Sequence, residues 1–329
     1  MKLSQKNISD LFNFGYTNPK EGLLEIFFPD LVLKKYYKLL TQLNDSSSNN
    51  KNSLTLEFEK FKTSNQTILE IQKELSSIEI NLTQCLIHGS YATNEEIDYS
   101  DFDGLIIINK NVLTNFNHFK KTIAAIKKTN QLILKLDPLQ HHGWFIILES
   151  ELDDYDETFL PIDALKISKS LLLTNKSELK ISLKRNSNFN LGIDRLSKQL
   201  LDKINSKNYP TNYYQIKSLL SEFMMLPTLY YQAKEKKGIY KKYSFEMVKN
   251  DFGDVWNIMD KVSLLRSNWS KYFIKNDLKS KHNNFLTRYL FKKYNKKASS
   301  DLLRILSIEF YSEMKALIME MRSKLNLPV

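Results

Sequence analysis

The chain has 329 residues, 42% hydrophobic and 26% charged, enough for one large core or two modest ones in a globular protein. Its single cysteine, Cys85, excludes an intramolecular disulfide framework and a Cys-rich zinc site, fits a reducing compartment, and reads as a small buried apolar residue within TQCLI. Lys and Arg outnumber Asp and Glu by 48 to 37, and the formal charge of +11 biases the surface toward polyanions such as nucleotides, tRNA or DNA. Much of that excess is Lys beside many Asn, a composition that an A/T-rich genome also produces, so charge alone does not assign a partner.

The opening MKLSQKNISDLF lacks the apolar core of a signal peptide, and no later run approaches the roughly 18 apolar residues of a membrane span. The expected setting is cytoplasmic, with no membrane partner. Residues 18–43 carry Leu23, Leu24, Phe27, Phe28, Leu31, Leu33, Tyr36, Tyr37, Leu39 and Leu40 at helical spacing. DSSSNNKNS, residues 45–53, reads as a linker, and Leu54 to about Ile78 as a second helical segment. The period then changes. LTQCLIH (82–88), FDGLIIIN (102–109), QLILKLD (131–137) and HGWFIILES (142–150) are short and rich in Ile and Leu, and they read as strands. VLTNFNHFKKTIAAIKK, before the third, reads as a helix. From about Tyr155 the helical period returns for the rest of the chain, where abundant Tyr and Phe read as bundle core rather than as a base-stacking platform. No internal repeat is visible. The expected fold is α+β, a small mixed sheet flanked by N-terminal helices and a C-terminal helical bundle, divided at 1–80, 81–175 and 176–329.

HGSYATNEEIDYSDFDG, starting at His88, carries the chemistry. Alternation on a strand points Asp101 and Asp103 to one side and Phe102 to the other. Two aligned carboxylates repel, and a cation that neutralises both resolves the conflict; oxygen ligands on a stiff element suit Mg²⁺. Gly89-Ser90 ends the preceding strand, where Gly lets the backbone approach a ligand and Ser adds a hydroxyl and an amide. A helix opening at SYATNEE would turn its free N–H groups on the same spot, a phosphate cradle. His88 itself reads as a strand residue.

At these residues, LIHGSYATNEEIDYSDFDGLIII, the chain resembles the polymerase-β-like nucleotidyltransferase superfamily: an apolar strand, Gly-Ser, a variable interval, then Asp-x-Asp on the next strand. The Tyr-Ala after Gly-Ser and the Ser-Asp-x-Asp look like the bacterial minimal and aminoglycoside-type members. The likeness covers about residues 82–150. It implies transfer of an NMP from an NTP, ATP first among them, with two Mg²⁺ ions, metal ligation by Asp101 and Asp103, and phosphate binding by Gly89 and Ser90. It also implies a third carboxylate on a neighbouring strand.

Asp137, closing QLILKLD before Pro138, is the first choice for that third acid and equally a turn-forming Asp; Glu149 ranks below it. In the adjacent QHHG the two histidines face opposite sides if the segment is a strand, so one enters the site, and His142 is chosen as ligand or base. Lys241 and Lys242, ahead of a helix, occupy a position like that of the triphosphate-contacting Lys of the superfamily's helical domain. The acidic run 151–157 reads as a capped helix start rather than a second metal site. The acceptor is expected to be a hydroxyl or phosphate on protein, tRNA or a small molecule, in a bacterial toxin-antitoxin or defence setting, with the basic surface favouring a macromolecule. The alternatives are an inactive nucleotide- or RNA-binding module on the same fold, which the missing clear third acid favours, and a purely helical interaction protein.

Overall fold

The structure, a computed structural model, describes residues 12–13, 28–41, 53–172, 178–274 and 297–328. Leu23, Leu24 and Phe27 of the first apolar stripe, and all of the expected linker except Ser53, lie outside the described residues. In chain order the principal elements are α1 (Pro29–Thr41), β1 (Ser53–Glu57), α2 (Gln66–Ser76), β2 (Leu82–His88), α3 (Gly89–Thr93), β3 (Asp103–Ile108) and α4 (Phe116–Leu136). They continue with β4 (Phe145–Leu148), α5 (Ile162–Lys166), β5 (Lys169–Ser170), β6 (Glu178–Ser182), α6 (Asn190–Asn205), α7 (Tyr213–Phe223) and α8 (Leu226–Glu235). The last are α9 (Lys241–Lys249), α10 (Asn257–Ser267), α11 (Ser300–Ile305) and α12 (Ile308–Lys324). The fold is α+β, as composition and period suggest.

Four strands form a mixed sheet in the order β4-β3-β2-β5, with β3 antiparallel to β2 and parallel to β4. Side-chain alternation along these strands feeds two cores. Cys85, Ile87, Ile106, Ile108 and Ile146 pack beneath α1, α2 and α4, while Leu86, Leu105, Ile107 and Ile147 pack with Leu56, Leu179 and Ile181 of the antiparallel β1–β6 pair. A third core fills the C-terminal helices and takes in Tyr99 and Leu139 from the loops around the sheet. The sheet is therefore rigid on both faces, and its one chemically varied edge is where β2 ends at His88 and β3 begins at Asp103, which face each other in register. Among the described residues no helix is long and apolar enough to cross a membrane.

Three expected elements are corrected. The chain from about Tyr155 is not helical throughout: β5 pairs with β2 and β6 pairs with β1 before the longer helices begin at Asn190. Leu54 to Ile78 is not one helix: the strand β1 comes first, and α2 starts only where Asn65 accepts hydrogen bonds from the Thr67 and Ile68 N–H groups. QLILKLD is not a strand but the end of α4. The buried residues Phe119, Ile123, Ile126, Asn130 and Ile133 continue one 3.6-residue stripe through it, so the helical period set upstream overrides the local β-like run. The helix stops because Pro138 disfavours helical backbone at the residue before it, and Asp137 is extended at φ −139°, ψ 102°.

Gly104 explains the last letter of DFDG. A Cβ there would lie 2.3 Å from the Trp144 ring, and Trp144 is fully buried with its indole N–H donating to Thr129 Oγ1 at 2.9 Å. Gly104→Ala is therefore expected to displace a large rigid ring and cost about 1–3 kcal/mol, read as a lower urea midpoint with an unchanged slope.

Candidate metal and phosphate site

Asp101 lies in the loop ahead of β3, one residue before its end, and Asp103 is the first residue of that strand. Phe102 between them is buried against Trp144 and Tyr91, with ring centroids 5.4 and 5.8 Å away, so the two carboxylates are left on the other side. The loop is pinned by one side chain. Gln140 accepts from the Phe102 N–H at 2.9 Å and donates to the Phe102 carbonyl at 2.9 Å, a two-bond clamp between the acidic strand and the segment joining α4 to β4.

That segment also delivers both histidines. His141 and His142 lie in irregular backbone, not on a strand, so they do not diverge: His141 Nδ1 is 3.6 Å from Asp101 Oδ2, and His142 Nε2 is 3.2 Å from Asp103 Oδ1. The expectation that only one histidine could enter is corrected for this reason. His88, across the β2–β3 ladder from Asp103, is buried and its ring packs on Phe145.

Asp137 is brought near but is engaged elsewhere. It is buried, its Oδ2 accepts from Lys217 Nζ at 2.5 Å, and its Oδ1 accepts from the Leu139 N–H at 3.1 Å. It sits at the cap of α4 rather than on a strand, and it presents no free carboxylate to the Asp101–Asp103 pair. Lys217, from α7, is 1% exposed and also lies 2.8 Å from Asp101 Oδ1, so a single ammonium bridges the two acids. Glu149 is at the opposite end of the sheet, following Leu148, the register partner of Ile108. In the 151–157 run, Glu151 accepts from the Leu148 N–H and Asp156 pairs with Lys184, both structural contacts.

Gly89 starts α3 with φ +67°, a conformation that favours glycine, and a Cβ there would lie 2.8 Å from Asp103 Oδ2. The first turn of α3 thus abuts Asp103. Lys242 is exposed and paired with Glu95 at 2.5 Å, whereas Lys241 is partly buried and its ammonium has no hydrogen-bond or ion-pair partner among the described residues. Lys241 feels the charges of Asp103 and Asp101 and that of Arg266, whose guanidinium lies over the Tyr99 ring at 4.9 Å.

The electrostatics follow from this packing. Burial works to raise Asp101, but Lys217, then His141 and His142, outweigh it and hold its carboxyl well below the ordinary range. Burial likewise opposes ionisation of Asp103, and the His142 hydrogen bond and charge overcome it. Burial also works against the Lys217 charge, yet Asp101 and Asp137 raise its pKa above the ordinary value. Desolvation lowers His141 to about 4 despite Asp101, and lowers Lys241 to about 8 with help from Arg266. His142 goes the other way: burial would lower it, but Asp103 above all raises it to about 9.

Two buried atoms here have no hydrogen-bond partner, His141 Nδ1 and His88 Nε2, whereas Asp101 Oδ1 is met by the Lys217 ammonium at 2.8 Å. Such orphans cost free energy and point to a further group. Asp101, His141 and His142 offer ligand atoms all within 4.8 Å of one another.

Lys217 and His141 escape a reading by motif. Lys217 does leave a trace, a charged residue on the apolar stripe of Tyr213, Ile216 and Leu220 in α7, where a lysine needs buried partners. His141 was hidden by the strand assignment alone.

Because the His142 pKa is raised above the ordinary 6.5, its pairing with Asp103 stabilises the fold fully below about pH 6.5 and is lost as pH rises through about 9. Urea midpoints of the protein and its His142→Gln variant are expected to differ most at pH 6 and to converge near pH 10; a gap that widens with pH would contradict the pairing.

Searches against protein-family models, curated proteins and solved structures find no match to this chain.

Proposed function

We propose that the protein is a metal-dependent nucleotidyltransferase that moves an NMP from an NTP to a hydroxyl or phosphate acceptor with release of pyrophosphate. The observation that carries this reading is the juxtaposition of Gly89, at the start of α3, with Asp103 at the head of β3, two residues after Asp101. An anion pocket of backbone N–H groups beside two carboxylates is what a triphosphate bridged through a cation requires.

The donor set suits a divalent cation, since the orphaned His141 Nδ1 lies beside Asp101 Oδ2 and near the partly exposed Asp103 carboxylate. When bound, such an ion would lower the charge barrier to attack at phosphorus and steady the leaving pyrophosphate. Asp101 and Asp103 would hold it. The Gly89 and Ser90 amides would bind phosphate oxygens, and Lys241, unpaired among the described residues, would neutralise the far phosphates. The acceptor oxygen would bond to the α-phosphorus as the bond to the bridging oxygen breaks, its proton passing to Asp103, at 30% the most exposed of the three acids. With Asp137 held by Lys217, the residues favour one ion over the two that the resemblance implies. The +11 charge favours a macromolecular acceptor, protein or tRNA, over a small molecule.

A second reading, a nucleotide- or RNA-binding module without transfer, is favoured by one observation: each of the three acids already has a basic partner. Purified protein incubated with labelled NTPs and cell lysate separates the two. Label is expected to enter protein or RNA, and Asp101→Asn or Asp103→Asn to reduce that transfer by about 100-fold or more while the thermal unfolding transition persists. Nucleotide binding with no transfer to any fraction would favour the module, and undiminished transfer by both variants would remove this site from the reaction.

A further inference from the structure

We propose that Asp101, His141 and His142 form a binding site for a single first-row transition ion of the Mn²⁺ to Zn²⁺ series, in preference to Mg²⁺. The inference goes beyond the transfer reading, since the cluster could hold such an ion whether or not a nucleotide follows.

The argument begins with ligand chemistry. Mg²⁺ takes oxygen ligands and keeps much of its water, whereas imidazole nitrogen suits Zn²⁺, Mn²⁺ and their neighbours. Here two imidazoles and one carboxylate offer donor atoms all within 4.8 Å of one another, close enough to converge on one ion with bonds of about 2.0–2.2 Å after a short inward shift of the side chains.

His142 has the outer contact of a ligating histidine. His142 Nδ1 lies 2.9 Å from the Gly143 carbonyl, which can accept only from a protonated nitrogen, and this leaves the Nε2 lone pair on the side of Asp103 and Asp101. A lone pair opposite a carboxylate oxygen at 3.2 Å needs a positive charge shared between them, a proton or a metal ion. His141 Nδ1 is buried, 3.6 Å from Asp101 Oδ2, and makes no hydrogen bond. A proton satisfies the first pair but leaves His141 orphaned; an ion satisfies both.

The site is also stiff. The Gln140 clamp ties the acidic strand to the histidine segment, and the Lys217 ion pair fixes Asp101 from behind while its Oδ2 faces His141. Preset donors of this kind favour an ion with a defined geometry.

Co²⁺ is the probe, because its visible absorption reports nitrogen and oxygen ligation without any need for activity. Full-length protein, first treated with chelator, is expected to bind about one equivalent of Co²⁺ with a saturable visible band that a tenfold excess of Mg²⁺ does not remove. His141→Gln and, separately, His142→Gln are each expected to weaken Co²⁺ binding by about 10-fold or more, with folding checked by circular dichroism. If one variant fails to fold, the other decides. Absence of a saturable band, displacement by equimolar Mg²⁺, or a folded His141→Gln variant that binds Co²⁺ as the parent does would overturn the proposal. The nucleotide reading fails separately: Co²⁺ bound through both histidines with no transfer sinks only that reading, and transfer with Mg²⁺ alone and no Co²⁺ band sinks only this one.

Discussion

One buried ammonium organises the site. Lys217 reaches out of the helical core to lie 2.8 Å from Asp101 and 2.5 Å from Asp137, and with 1% exposure it has no solvent to share its charge with. A desolvated lysine is tolerable only between anions, and desolvated carboxylates only beside a cation, so the three groups require one another. Their positions come from three separate stretches, the loop before β3, the end of α4 and the middle of α7. The ion pair thus fastens the C-terminal helices to the acidic edge of the sheet, assisted by the Tyr99 hydroxyl, which donates to the Lys217 carbonyl at 2.8 Å.

The same bridge assigns the acids different parts. Asp137 is buried on two sides by Lys217 and by the N–H of Leu139, and its work is to hold that lysine. Asp101 shares the lysine but keeps its other oxygen toward His141, and Asp103 faces His142 and the start of α3. The two carboxylates that remain beside the histidines are therefore the pair separated by Phe102. Burial of the Phe102 ring against Trp144, with Gly104 making room for that ring, is what turns them outward together.

Much of this was legible in the sequence. The strands β2, β3 and β4 stand out because Ile- and Leu-rich runs are closed by Gly, Asn or Asp, and Gly89, Asp101 and Asp103 stand out because no packing rule asks for them there. The C-terminal helices follow from their 3.6-residue stripes. What misled was a short apolar run read in isolation: QLILKLD has β-like composition, but Phe119, Ile123 and Ile126 upstream had already set a helical phase that it continues. From that misassignment came the view of Asp137 as a strand-borne third acid; the view that His141 and His142 diverge came from extending the next strand back into QHHG, whereas β4 starts only at Phe145. Lys217 was invisible for a different reason. Its partners lie 80 residues or more away in sequence, and only the tertiary fold shows which anions a buried lysine answers.

The most direct test of this organisation is a double-mutant cycle on Lys217 and Asp137, with unfolding free energies from urea titration. Lys217→Met alone should strand buried carboxylates and cost about 3–5 kcal/mol, while the pair Lys217→Met with Asp137→Leu should cost well under the sum of the two single changes. A Lys217→Met variant within about 0.5 kcal/mol of the parent, or strictly additive losses, would show that the bridge does not hold the site together.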